Sequence, residues 1–444
     1  MAADPPPAPG QALLDATMRK VTVRLMPFLV LMYMMAFLDR TNVGVAKQAL
    51  KTDAGVSDAA FALGAGIFFV GYALFELPSN LVLHRVGARR WLGRIMISWG
   101  VVAAATLFVT GGTSFAVVRL LLGLAEAGFF PGVVLYLTYW FPPEHRGRAL
   151  AIFYFGYPLA LTLGTPFSGL LLALDGMLGL RGWQWMFLLE GVLAALVGVA
   201  ALFVLRDGPA AVSWLDPDDK RRLLAVLERE KREKHAEGGG SLLRALRDPW
   251  LLLFLLIYFS IQIGSYGVVF FLPDQVSALL GERIGVRVAL VSSLPWLCAV
   301  VFTAVWPPLA ARLNRPRLFL LVTLLMTSGG IAVSANAAPL PAVAALCVAG
   351  AGIVSSQALF WVFPTDRFGG TAAAGGLAII NSLGNLGGFV APNLRAAVDA
   401  AFHDRAAGLY AVALGGVIAL LAAFLLPARG RRVAATALSA ERSR

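Results

Sequence analysis

The chain has 444 residues, of which 59% are hydrophobic and only 14% charged, with a formal net charge of +12. A soluble domain carries roughly 45–50% apolar and about 25% charged residues, so a water-soluble globular protein is excluded and a polytopic α-helical membrane protein is predicted. The basic residues sit in short loops between apolar blocks, which is the positive-inside pattern of membrane proteins and argues against a nucleic-acid partner.

In chain order, the Pro/Ala-rich start MAADPPPAPGQALLDATMRK lacks the apolar core of a cleaved signal peptide. It predicts a disordered cytoplasmic tail over 1–23, with the first span serving as an uncleaved targeting signal. Apolar blocks then recur, each long enough to cross roughly 30 Å of hydrocarbon. Their limits are about 25–46, 59–83, 91–110, 114–139, 148–174, 184–205, 249–276, 286–310, 316–335, 340–363, 371–395 and 406–427. The reading is an all-α integral membrane protein with twelve transmembrane helices in two six-helix bundles. The bundles cover 24–206 and 249–427, joined by a cytoplasmic linker at 207–248 and followed by a cytoplasmic tail at 428–444. With the N-terminus inside, 28 of the 37 Lys and Arg residues fall in inside segments and seven in outside loops, so both termini are expected in the cytoplasm of a bacterial inner-membrane protein. Cys298 and Cys347 both lie in apolar blocks and suggest no disulfide framework.

The linker carries a helix signal. Asp216 fits the N-cap, Pro217 the first helical position and Asp219 the third, ahead of DKRRLLAVLEREKREK. Leu223, Leu224 and Leu227 share one side, which predicts a connector lying on the cytoplasmic face, ended flexibly at Gly238, Gly239 and Gly240. The halves show a weak repeat, Phe141-Pro142-Pro143-Glu144 after span four against Phe363-Pro364-Thr365-Asp366 after span ten, as in transporters built from parallel six-span repeats. Basic turns follow spans two and eight. Such turns can bind the negative ends of helix dipoles, so Arg85, Arg89 and Arg90, with Glu144 and Arg148, are candidates for a cytoplasmic latch between the halves; simple positive-inside bias is the competing reading.

Charges within spans are few and costly, about 2.5–3.5 kcal/mol each near the bilayer centre even on lenient scales. They are Asp39, Arg40, Glu76, Arg119, Glu126 and, at uncertain depth, Glu190. Arg119 and Glu126 are seven residues apart, close to two turns, so both leave one face roughly 10 Å apart along the axis. Helix rise puts Asp39, Arg40 and Arg119 at similar depth, roughly 8–10 Å below the outer surface, and Glu126 nearer the midplane. Matching depth predicts an Asp39–Arg119 salt bridge and leaves Arg40 for an anionic substrate. Desolvation disfavours a bare carboxylate, and a nearby arginine favours it. An anion that occupies the arginine therefore promotes protonation of the carboxyl, and the linkage is mutual. Asp39 and Glu126 are the candidate proton carriers. Arg40 and Arg119 are the candidate anion holders, because a guanidinium matches a carboxylate bidentately.

The second half offers uncharged polar groups instead: Gln262 and Tyr266 in span seven, Trp296 in span eight, Gln357 and Trp361 in span ten, and Asn381 and Asn385 in span eleven. Asn381 and Asn385 are one turn apart on one face. They and Tyr157 of span five are read either as hydrogen-bonding partners of a substrate or as glue between helices.

The stretches AFLDRTNVGVA (36–46), GIFFVGYALFELPSNLVLHRVGARRW (66–91), RLLLGLAEAGFFPGVVLYLTYWFP (119–142), GWQWMFLLEG (182–191) and AAAGGLAIINSLGNLGGFVAP (372–392) resemble the major facilitator superfamily, and within it the anion:cation symporters of organic acids. The resemblance implies proton coupling at Asp39 and Glu126, substrate contact at Arg40, Arg119 and Tyr157, and substrates such as tartrate, phthalate or hydroxyphenylacetate. Phe37 stands where sugar-acid transporters of this family often have Tyr, and His84 where the superfamily usually has Asp. The expectation is therefore a non-enzymatic, monomeric symporter without a cofactor, driven by protons and importing a small organic anion across the lipid bilayer. The alternatives are a proton-driven exporter or drug antiporter, which two buried arginines argue against, and a non-transporting nutrient sensor on the same fold.

Overall fold

The computed structural model describes residues 9–236, 248–368 and 370–428. Every element in this range is helical. The first half comprises α1 (Pro9–Asp53), α2 (Asp58–Val86), α3 (Ala88–Ala104), α4 (Gly112–Glu126), α5 (Phe129–Thr138), α6 (Pro143–Tyr154), α7 (Gly156–Leu172) and α8 (Gly182–Val204). The connector α9 (Pro217–Ala236) follows. The second half comprises α10 (Pro249–Val269), α11 (Leu272–Leu280), α12 (Val286–Arg312), α13 (Pro316–Ser334), α14 (Pro339–Phe360), α15 (Val362–Arg367), α16 (Gly370–Asn385), α17 (Gly387–Phe402) and α18 (Arg405–Ala423).

Among the described residues, 11 helical stretches are long and apolar enough to cross a membrane, some of them, such as Gly112–Thr138, joined from two elements. The expected span at 371–395 falls on α16 and α17, which meet at Leu386. Exposed Leu74, Phe203, Leu252 and Val301 lie on the outer faces of these stretches, where lipid rather than water would meet them.

Local chemistry sets the boundaries. Ser57 Oγ accepts the Ala60 N–H at 3.2 Å and starts α2. Asp248 and Asp404 cap α10 and α18 in the same way. Small residues let α3 and α8 touch: a Cβ on Gly100 would stand 2.5 Å from the Gly191 carbonyl oxygen. Span four is broken. Gly128 has φ +86°, a left-handed conformation that separates α4 from α5. A Cβ there would lie 2.2 Å from Ser79 Oγ, so the break needs glycine twice over.

Two expectations are corrected. The segment 9–23, expected to be disordered, continues α1 as helix, because its polar groups find partners. Lys20 Nζ reaches Asp216 at 2.7 Å and Asp219 at 2.9 Å, and Asp15 meets His145 at 3.2 Å. Arg395, the end of the expected span at 371–395 and counted among the seven basic residues outside, is 4% exposed, because α17 runs on to Phe402 and carries it inward to donate to the Gly267 carbonyl at 3.1 Å. The connector helix begins at Pro217 as predicted and buries Leu223. Arg146 holds it through Glu230 at 3.0 Å, and Trp214 stacks on Trp140 with centroids 6.0 Å apart. The predicted glycine end at 238–240 lies outside the described residues.

The halves meet along several faces: α7 packs on α12, α2 on α17 and α16, and the C-terminal part of α1 on α11. One apolar core runs through both halves, from Met18 to Ala413, and a second, around Phe254, Tyr258 and Phe360, belongs to the second half alone.

Candidate functional site

The site is assembled around the break in span four. Glu126 is the last residue of α4, fully buried, with its carboxylate turned toward α1. It forms an ion pair with Arg40 Nη2, while Arg40 Nη1 donates to Tyr266 Oη of α10 at 3.0 Å. One guanidinium thus joins the two halves. Aromatic rings frame it: the Arg40 carbon lies 4.8 Å from the Phe37 centroid, 5.2 Å from Phe68 and 5.5 Å from Tyr72. Cation–π contact of this kind holds the guanidinium by its faces and leaves its edge for hydrogen bonding.

This differs from the expected pairing. Arg119 reaches α1, but its Nη1 donates to the backbone carbonyl of Asp39 at 3.4 Å, and no Asp39–Arg119 salt bridge forms. Depth along a helix axis leaves out the length of the side chain. An arginine side chain spans more than one helical turn, so Arg40 reaches down to Glu126. The result leaves several buried polar atoms without a protein partner: both carboxylate oxygens of Asp39, Glu126 Oε2, Arg40 Nε, and Arg119 Nε and Nη2. Buried polar atoms are nearly always partnered. Two acids and two permanent cations with spare bonding capacity suit a site that exchanges protons and anions.

A cavity lies between the halves, lined by Arg40, Glu126, Tyr266, Gln262, Asn381 and Asn385 together with a ring of aromatic side chains that includes Tyr72. It is narrow, about 30 Å³, enough for one or two waters and less than an organic acid needs. Tyr157, Asp39 and Arg119 stand behind its wall. Tyr157 Oη lies 3.1 Å from Ser265 Oγ, which also accepts from Gln357 Nε2 at 3.3 Å, so Tyr157 ties α7 to the second half.

Two carboxylates missing from the expected site prove fully engaged. Glu190 of α8 accepts from Asn42 Nδ2 and Ser168 Oγ, both at 2.7 Å, away from the cavity. Glu76 of α2 accepts from Asn381 Nδ2 at 2.8 Å and from Ser382 Oγ, across the interface between halves. Both are acids in apolar runs, and that signal was available in the sequence.

The expected cytoplasmic latch makes no bond between the halves among the described residues. Arg89 Nε donates to the Leu202 carbonyl at 2.6 Å near the end of α8, within its own half. Arg317 repeats the bond in the second half, to Leu426 at 2.8 Å. Both complement the negative end of a helix dipole. Arg85, Arg90, Glu144 and Arg148 are exposed and make no bond to the second half among the described residues. The polar clasp between halves lies at the opposite end of α1, where Lys47 pairs with Asp274 at 2.9 Å and Gln48 Nε2 donates to Ser277 at 2.8 Å.

Comparison with known proteins gives the family and the fold. The profile of the Major Facilitator Superfamily matches residues 29–392. The chain is 42% identical over 415 residues to the inner membrane transport protein RhmT of Escherichia coli strain K12, covering 94% of this chain and 96% of that one. It is 40% identical to a putative tartrate transporter of Agrobacterium vitis, with 94% and 97% covered. It is 36% identical to a quinolone resistance transporter of Acinetobacter baumannii, with 93% and 95% covered. Among solved structures, a bacterial homologue of the lysosomal transporter Spinster, inward-facing and unoccupied, superposes with TM-score 0.72 at 16% identity over 91% of this chain and 96% of that one. A D-xylose–proton symporter superposes with TM-score 0.70 at 17% identity over 91% and 98%.

Proposed function

Because the chain belongs to the Major Facilitator Superfamily, and is thus a multi-pass membrane transporter and not an enzyme, we propose that it is a proton-coupled symporter importing a small organic carboxylate by alternating access. In this reading α16 and α17 together form a twelfth crossing, both termini are cytoplasmic, and the membrane is the bacterial inner membrane. The relatives with names in organic-acid transport support the substrate class.

The observation that carries the proposal is the buried Arg40–Glu126 pair at the cavity wall. A substrate carboxylate entering the cavity competes with Glu126 for the guanidinium edge. Glu126, losing its cation in a water-poor site, takes up a proton. The proton in turn frees Arg40 for the anion, so each ligand strengthens the other. Asp39, with two unpartnered oxygens beside Arg119, is the second proton carrier. Gln262, Tyr266, Asn381 and Asn385 supply uncharged contacts from the opposite wall, and Tyr157 positions that wall. When the halves rock, the cytoplasm withdraws the proton, the Arg40–Glu126 pair re-forms and the anion leaves.

In proteoliposomes, Glu126→Gln is expected to abolish uphill uptake driven by a pH gradient while retaining exchange of substrate across the membrane. Intact uphill uptake in that variant would overturn the role given to Glu126. A second reading, drug export, is favoured by the likeness to the quinolone resistance transporter. It predicts pH-driven efflux of a quinolone and no carboxylate accumulation in the same vesicles.

A further inference from the structure

The cavity's uncharged wall has a direction. Glu76 of α2 is 3% exposed, and each of its oxygens accepts one hydrogen bond, from Asn381 Nδ2 at 2.8 Å and from Ser382 Oγ. A carboxylate can only accept, so Asn381 must offer it the amide nitrogen. The oxygen of Asn381 is then left to accept, and it does, from Asn385 Nδ2 at 3.3 Å. By the same step, Asn385 Oδ1 accepts from Gln262 Nε2 at 2.6 Å. The chain ends at Gln262, whose Oε1 has no hydrogen-bond partner although the residue is 2% exposed and lines the cavity. Four side chains from α2, α16 and α10 therefore run head to tail, with their polarity set at one end by a residue of the first half.

We infer that Glu76 is a positioning residue that orients this amide chain so that Gln262 presents an acceptor oxygen to the cavity, selecting carboxylates that carry a hydroxyl group. The inference rests on the transport reading and deepens it by narrowing the substrate class. The division of labour is chemical. Arg40 supplies donors and suits the carboxylate; Gln262 Oε1 supplies an acceptor and suits a hydroxyl hydrogen, which a deoxy acid lacks. A buried acceptor left unmet when a deoxy analogue binds is the basis of discrimination by a hydrogen-bonding site. Glutamine in place of Glu76 can donate or accept, so the chain loses its fixed direction and Gln262 can turn either end to the cavity.

The test is binding to purified, full-length protein by calorimetry, using L-tartrate, L-malate and succinate, which lose one hydroxyl at a time, and mandelate against phenylacetate. Wild type is expected to bind each hydroxy acid about tenfold more tightly than its deoxy partner, the value of one net hydrogen bond. Glu76→Gln is expected to bring the two within about threefold of one another. Ser382→Ala, which leaves the amide chain intact, is expected to keep the tenfold ratio. Gln262→Met, which removes the acceptor oxygen itself, is expected to bring the ratio near one and keeps the inference falsifiable should Glu76→Gln fail to fold. Equal binding of hydroxy and deoxy acids by wild type, an unchanged ratio in folded Glu76→Gln, or an unchanged ratio in Gln262→Met overturns the inference alone. Failure of every one of these acids to bind overturns the transport reading and the inference with it.

Discussion

The two walls of the cavity are built from different chemistry. The first half contributes Arg40 and Glu126, with Asp39 and Arg119 behind them, four charges with only one ion pair among them. The second half contributes Tyr266, Gln262, Asn381 and Asn385, which carry no charge; hydrogen bonds join the three amides. A charged group can respond to a proton or an anion by changing its state; an amide can only change its orientation. On the proposed reading this contrast assigns coupling to the first wall and selectivity to the second, with Arg40–Tyr266 and Glu76–Asn381 as the bridges between them.

Substitutions on each wall separate the two roles. Arg40→Leu carries the largest expected effect. It removes the anion's partner and leaves Glu126 buried without its cation, a change worth about 3–5 kcal/mol. Carboxylate binding by calorimetry should weaken at least about a hundredfold and uptake should cease; wild-type affinity in this variant would contradict the assignment. Asn385→Leu should act more gently, weakening hydroxy-acid binding about tenfold through one lost hydrogen bond chain while leaving intact the number of protons moved per substrate. A change in that stoichiometry would show that coupling is not confined to the charged wall. The smallest effect lies outside both walls. The Lys20 ammonium holds the Asp219 carboxyl below the usual carboxylate range. A depressed carboxyl stabilises the fold above its unfolded pKa, about 3.9, and that stability is lost as pH falls through the folded value. Lys20→Met should therefore lower the melting temperature by no more than a degree or two at pH 7, because the pair is exposed and screened. The difference should shrink as pH falls below that unfolded value; a difference that grew on acidification would contradict it.

The charged wall was the more legible of the two. The apolar helical stretches and the four charges follow from hydropathy and helix rise, and Arg119 and Glu126 do leave one buried face of α4. The pairing among the charges did not follow, because depth along an axis ignores how far an arginine reaches. Nor did the break after Glu126: nothing local announces that Gly128 turns left-handed or that Ser79 of α2 stands where its Cβ would be. The uncharged wall was harder to read. Asn381 and Asn385 were recognised as sharing a face, but the acid that orients them lies 305 residues away from Asn381 in sequence. No local pattern encodes such a contact. The helical start of α1 was missed for the same reason, since its partners Asp216 and Asp219 lie in the connector.

In the proposed coupling an arriving carboxylate takes Arg40 from Glu126 and sends a proton to the vacated acid. Calorimetric titration of a bound carboxylate in buffers of different ionisation enthalpy counts the protons taken up per anion bound. At neutral pH an uptake approaching one proton is expected in wild type, falling to near zero in Glu126→Gln. Binding without proton uptake in wild type, or an uptake unchanged by Glu126→Gln, would contradict it.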